Sequence, residues 1–383
     1  MNQRKWVSVG MLALLFGAVS CQPKTSSASV SSVPSSVSAE ASSESVSTVV
    51  SSSVNYNRAT YMNPVSVKKG TADYLGEIPD PSIVKGDDGY LYVFSTGRTC
   101  LRSEDGCNFT VYTNEVIPTP TWATEIYTDA SGCGVWAPDV RKVGDKWIYY
   151  YAYAGWDKCV GIGYATADKI SGPFTDQGKL FTYKDIGVSN AIDPCFMEED
   201  GHQYMIFGSF ANIYCVQLTD DGMGLEGGID YQKGHKILIA STAYEGSYVF
   251  KKGDEYWIML SAGTCCNGYE STYQVYAAHS SSLFGPYIDK KGAKMTDAGL
   301  HGSLVIWGGT GDGRLCTAPG HNSVYLDDAG DYWMYYHAYD DVDNFAVRHL
   351  FMDKILWDKD GFPYISTYKP SYQEELDGPA FLA

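Results

Sequence analysis

The chain has 383 residues and a formal net charge of −17. So acidic a balance excludes a nucleic-acid partner, which needs a basic stripe to meet phosphates, and gives no attraction to a polyanion. Its 31 Tyr and 9 Trp suit strands, where aromatics pack well, and also suit a ligand with stacking faces; most of them are read as strand packing.

In chain order, Arg4 and Lys5 precede an apolar run over 6–19, and Ala18-Val19-Ser20 then leads into Cys21. The run is short for a bilayer span and carries the charge, apolar core and small residues of a secretory signal. Residues 1–20 are therefore expected to be a signal peptide of the lipoprotein type, with lipid on Cys21; an ordinary signal with Cys21 incidental is the alternative. Residues 21–55 are rich in Ser, Val and Ala without hydrophobic period, which predicts a disordered tether. Residues 56–383 are expected to form one domain. An exported chain permits disulfides, but the ten cysteines show no CxxC metal spacing, and their pairing is open between such candidates as Cys100–Cys107 and the adjacent Cys265-Cys266.

Five units follow. Each opens with an acid or histidine at the head of a short apolar run: Asp80 in IPDPSIV, Asp139 in VWAPDV, Asp193 in NAIDPCF, Glu245 in YEGSYVF and His321 in PGHNSVY. After a Gly/Asp turn comes an aromatic strand, at 90–97, 146–153, 202–210, 255–263 and 332–339. The first four openers are spaced 52 to 59 residues apart and the fifth interval is longer. Strands and hairpin turns at such a period predict an all-β, five-bladed β-propeller, four strands to a blade, with the five openers at one axial position.

Chemistry follows from that placement. Glycoside hydrolysis takes two carboxyls across the scissile bond and gains from a third that keeps the acid protonated. Asp80, Asp193 and Glu245 supply the set once the ring closes. Taken singly, each Asp-Pro reads as a turn, and Asp139 reads equally well as a cap before its strand. Trp136, three residues before Asp139, is the candidate for a cleft wall.

The ordered set of these motifs, with CCNGYESTY at 265–273 and HAYD at 337–340, resembles glycoside hydrolase family 43, in particular its endo-1,5-α-L-arabinanase branch, from about Asp80 to about Pro363. The resemblance implies an inverting glycosidase acting on arabinan or arabino-oligosaccharides without organic cofactor. Asp80 would be the general base, Glu245 the general acid, and Asp193 the group that raises and orients the acid. Asn190, Ala191, Ile192, Gly208, Ser209 and Phe210 would line the substrate cleft. His321 would face a central cation, expected to be a single calcium ion; a structural water is the alternative. The expected protein is an extracellular, cell-surface bacterial lipoprotein, monomeric, touching the membrane only through its lipid. This chain departs from the family at Pro79, where His is frequent, at GSFANI (208–213) in place of GSFWGG, and at Ser247 in place of Pro. An exo-acting α-L-arabinofuranosidase or β-xylosidase is the alternative enzyme, and a non-catalytic glycan-binding lipoprotein the alternative of another class.

Overall fold

In each of the five units an aromatic or β-branched run folds back on its neighbour through a Gly/Asp turn, giving antiparallel sheets. A computed structural model describes residues 54–309 and 311–383; the signal, Cys21 and nearly all of the tether lie outside the described residues. Blade 1 comprises Ser82–Lys85, Leu91–Ser95, Thr99–Ser103 and Asn108–Thr113, extended by Ser66–Lys69 and Ala72–Asp73. Blade 2 is Gly134–Val143, Lys146–Gly155, Lys158–Ala167 and Thr175–Thr182. Blade 3 is Cys195–Glu199, His202–Phe207, Ile213–Gln217 and Ile237–Ala240, and blade 4 is Glu245–Lys252, Glu255–Ala262, Gln274–Ser280 and Ser303–Trp307. Blade 5 departs from four strands: Cys316–Leu326, Tyr332–Asp340 and Arg348–Lys354 pair, while Leu356–Trp357 and Pro363–Tyr364 form a separate hairpin.

The core is a set of five seams, one between each pair of neighbouring blades. Tyr92 and Phe94 meet Tyr149 and Phe174 between blades 1 and 2, for example, and Leu91 and Phe109 meet Trp333 and Tyr335 between blades 1 and 5. The final stretch closes the ring: Leu376–Leu382 pairs antiparallel with Tyr56–Tyr61, and Leu376 and Phe381 pack on that last seam.

Each blade enters its innermost strand through a left-handed residue, at Asp80 (φ 54°), Ala137 (φ 40°), Asp193 (φ 59°), Gly246 (φ 56°) and His321 (φ 45°). This register corrects the expectation of five equivalent openers. Asp80, Asp193 and His321 share the position, Glu245 stands one residue before it, and Asp139 two residues after it. Asp139 belongs to a second ring, of inter-blade staples. The N–H of Phe196 donates to Asp139 Oδ2 (2.7 Å), that of Val249 to Cys195 Sγ (3.4 Å), that of Ile83 to Ser323 Oγ (3.0 Å) and that of Val140 to Ser82 Oγ (3.4 Å). In blade 4 the corresponding Tyr248 donates its hydroxyl to Val324 O (3.1 Å).

Candidate active site

The kink at Asp80 turns its side chain off the strand and its N–H toward His337 Nδ1, 3.0 Å away. Because Nδ1 accepts that N–H, His337 carries its proton on Nε2. Burial, the largest influence, pulls its pKa down to about 4, so the ring is neutral. It lies parallel to the Tyr273 ring, with centroids 5.7 Å apart. Asp80 Oδ2 accepts the Thr96 hydroxyl (2.6 Å), while Oδ1 faces His321 Nδ1 at 3.2 Å and Arg348 Nη1 at 3.9 Å. Burial alone would push this carboxyl up. The charge and hydrogen bond of His321, with Arg348 behind, outweigh it and hold Asp80 well below the usual carboxylate range.

Glu245 is in the opposite state. It is partly buried with Ser209 Oγ donating to its Oε2 (2.7 Å), and burial raises its pKa, with the charge on Asp80 adding to the rise. Asp193 is buried and is pushed up to about 7, by burial first and then by the nearby charges of Glu245 and Asp80 against the pull of His321. The two therefore hold a proton near neutrality as a pair. Each of the two also accepts a hydrogen bond that favours its charged form, Asp193 Oδ2 from the N–H of Gly246 (3.0 Å) and Glu245 Oε2 from the Ser209 hydroxyl. His321 is raised to about 9, since the negative charges of Asp80 and Asp193 overcome its burial. The floor thus sets Asp80, held toward its charged form beside the His321 imidazolium, against a Glu245–Asp193 pair held toward keeping a proton.

Above it opens a cleft of about 750 Å³. Of the residues expected there, Trp136, Asn190, Ile192, Ser209 and Phe210 line it with the three acids and His321. Asn190 also ties its amide to Ser209 O (3.0 Å). Ala191 and Gly208 stand behind the wall. Ala191 is fully buried in the seam between blades 2 and 3. Gly208 turns at φ 127° with no room for a side chain, since a Cβ there would lie 2.2 Å from Asn212 O.

The structure adds residues not singled out from sequence. Arg348 donates to Glu77 through Nε (2.7 Å) and lines the cleft with it. Trp156 lines it too, as do Cys265 and Cys266, already noted in the sequence as neighbours and here joined by a disulfide. Arg348 Nη1 also reaches Cys266 Sγ (3.5 Å). Cys100 and Cys107, which a short loop made candidates for a bridge, are both free and buried.

The profile of glycosyl hydrolases family 43 matches residues 74–363. The chain belongs to this family. Its membership makes the protein a glycosidase. Within the family, the chain is 30% identical over 327 residues to an extracellular exo-α-(1→5)-L-arabinofuranosidase of Cellvibrio japonicus, covering 79% of this chain and 88% of that one. It is 28% identical over 299 residues to the extracellular endo-α-(1→5)-L-arabinanase 1 of Bacillus subtilis, covering 74% and 86%. The solved α-L-arabinanase of Cellvibrio cellulosa, in complex with arabinohexaose, superposes with a TM-score of 0.66 at 27% identity, over 76% of this chain and 98% of that one.

A calcium ion at His321 would have that one ring as its protein ligand and waters for the rest, rather than a cluster of side chains. That ion takes six to eight oxygens, and His321 offers one ring with Nδ1 already turned to Asp80. Among the described residues the group close enough together to hold an ion is Asp340, Asp343 and His349, which excludes His321. The imidazolium of His321 itself supplies positive charge at the site.

Proposed function

We propose that this protein hydrolyses α-1,5-linked L-arabinofuranosyl chains by single displacement with inversion. The observation that carries the reading is two carboxyls in one cleft whose surroundings push them in opposite directions, Asp80 toward its charged form and Glu245 toward its neutral one. Asp80 takes a proton from water as the water oxygen attacks the anomeric carbon. Glu245 gives its proton to the departing glycosidic oxygen, and Asp193 shares and orients that proton. Stability of the ion pair between His321 and Asp80 keeps the base charged before substrate arrives. The choice of arabinan is supported by what the relatives are named for. Extracellular relatives and the basic, apolar and small-residue order before Cys21 support export of a monomer held at the surface by lipid.

Cutting within the chain is the first reading. The exo-acting name of the Cellvibrio japonicus relative favours a second, removal of units from one end. Incubation of the full chain with linear 1,5-α-arabinan, resolving products by size, separates them. A ladder of oligomers is the expected result, and a single small product from the outset selects the exo reading. Glu245→Gln is expected to lower kcat by roughly 10²- to 10⁴-fold, the usual worth of a general acid. If arabinan yields no product, or the variant keeps full rate, the reading is wrong.

A further inference from the structure

Trp156 is the most exposed large apolar side chain among the described residues, with 79% of its surface open. It occupies, with Asp157, the tip of the hairpin between Lys146–Gly155 and Lys158–Ala167, whose flanking residues Gly155 and Lys158 pair. Tight hairpin tips select Gly, Asn and Asp for their backbone freedom, a property that tryptophan lacks. Core packing does not explain the residue either, because most of it is in water. A position that breaks both rules at the rim of a cleft points to function.

Its surroundings say which. The indole meets the Trp136 ring edge to face, with centroids 5.5 Å apart and planes at 62°. Both line the cleft, beside the small residues Ala154 and Gly155 that leave the ledge open. The ledge is tied to the chemistry through the backbone. Trp136 leads into Ala137, whose N–H donates to Thr96 Oγ1 (2.7 Å), and that hydroxyl donates to Asp80 Oδ2 (2.6 Å). The wall of blade 2 therefore starts at the base and ends at Trp156. Sugar rings carry C–H faces that stack on such planes, and along this wall Trp156 connects to Asp80 through Trp136, Ala137 and Thr96.

We propose that Trp156 is a stacking platform for a sugar unit remote from the scissile bond, and that it makes this enzyme's efficiency grow with substrate length. The inference rests on the arabinan reading above. Its role is in binding, with no part in proton transfer.

The test is a length series. Full-chain enzyme, Trp156→Ala and Trp156→Phe are assayed on linear α-1,5-arabino-oligosaccharides, from the shortest that is cleaved up to the heptasaccharide. In Trp156→Ala the ratio of kcat/KM on the longest substrate to that on the shortest is expected to fall about tenfold, chiefly through KM, in keeping with the worth of one aromatic contact. Trp156→Phe, which keeps a smaller ring, is expected to restore part of it. In parallel, calorimetry with arabinohexaose on the Glu245→Gln background reads binding without turnover, and adding Trp156→Ala is expected to weaken Kd by a similar factor. A wild-type enzyme that cleaves the series while the variant's ratio stays within twofold overturns the platform alone. A wild-type enzyme that cleaves no arabinan oligomer overturns the functional reading and this inference with it.

Discussion

Asp80 and Glu245 are both withdrawn from water, yet their neighbours drive them toward opposite charge states. Two cationic groups face Asp80 and outweigh its burial, whereas at Glu245 burial, with the charge of Asp80, outweighs the Ser209 and Tyr273 hydroxyls and the charge of His321. Under the mechanism proposed above, Asp193, on which the charge of Glu245 acts, holds up that acid in return. Replacing it with Asn removes a negative neighbour, so Glu245 loses its proton more readily and its pKa falls. Glu245 acts only when protonated, and the alkaline limb of kcat/KM reports that proton in the free enzyme. In Asp193→Asn this limb is expected to move to lower pH, by about one unit, while the acid limb set by Asp80 does not rise. A limb that stays put or moves up would remove Asp193 from this role. The three acids were legible in sequence because Pro or Gly follows each and breaks its strand pattern. Thr96, His337 and Arg348 were not, for a physical reason. They stand at or within aromatic and β-branched runs, and His337 is one of eight consecutive buried residues in its strand, so its burial does not set it apart.

At the scale of the strand, what the repeat conceals is a two-residue difference in register. Acids appear in consecutive units, but Asp139 stands at the staple position, where Ser, Cys and Ser stand in three other blades. Its carboxylate joins three blades, accepting from Ser82 Oγ (3.2 Å) and the N–H of Phe196 (2.7 Å) and pairing with Arg141 at 3.0 Å. Arg141 in turn donates to the Tyr248 hydroxyl of blade 4 (3.2 Å). Motif reading cannot separate these positions, since the backbone angle that distinguishes them, left-handed at Ala137, leaves no mark in an alanine. Asp139→Ala would strand a buried guanidinium and a buried N–H. Its expected cost is about 3 kcal/mol, the range seen when one partner of a buried ion pair is removed. Urea unfolding at fixed pH measures it. Adding Arg141→Met should recover part of the loss, because the stranded charge is gone. If Asp139 instead belonged to the catalytic set, stability would hold and kcat would collapse.

For the whole molecule, five seams distribute the core, so no blade is stable alone and closure of the ring matters as much as any one contact. The number of blades and their order were readable from the period of the openers. The closing strand was not: Leu376–Leu382 contains Asp377, Gly378 and Pro379, so from sequence the stretch 365–383 could equally close the ring beside the first blade or trail free. It is ordered by partners far away in sequence. The N–H of Ala380 donates to Asp327 Oδ2 (2.8 Å), and Arg58 Nη1 donates to Gly378 O (2.8 Å). At Gly378 the closing strand is packed tightly against the first strand and blade 1: a Cβ there would lie 2.1 Å from Cys107 Sγ and 3.0 Å from Ala59 O. Gly378→Ala is thus expected to force the closing strand off blade 1 at a cost of about 2 kcal/mol, as overpacking of a tight core does. Cys107→Ala clears the nearer obstacle while leaving the Ala59 carbonyl. The double variant should therefore regain some, but not all, of the lost stability in urea unfolding, and the two changes should couple by at least about 0.5 kcal/mol. Simple addition of the two costs would mean that the ends do not meet at Gly378. A full closure of the seam also predicts a single unfolding transition in wild type, since a ring whose last joint is packed opens as one unit.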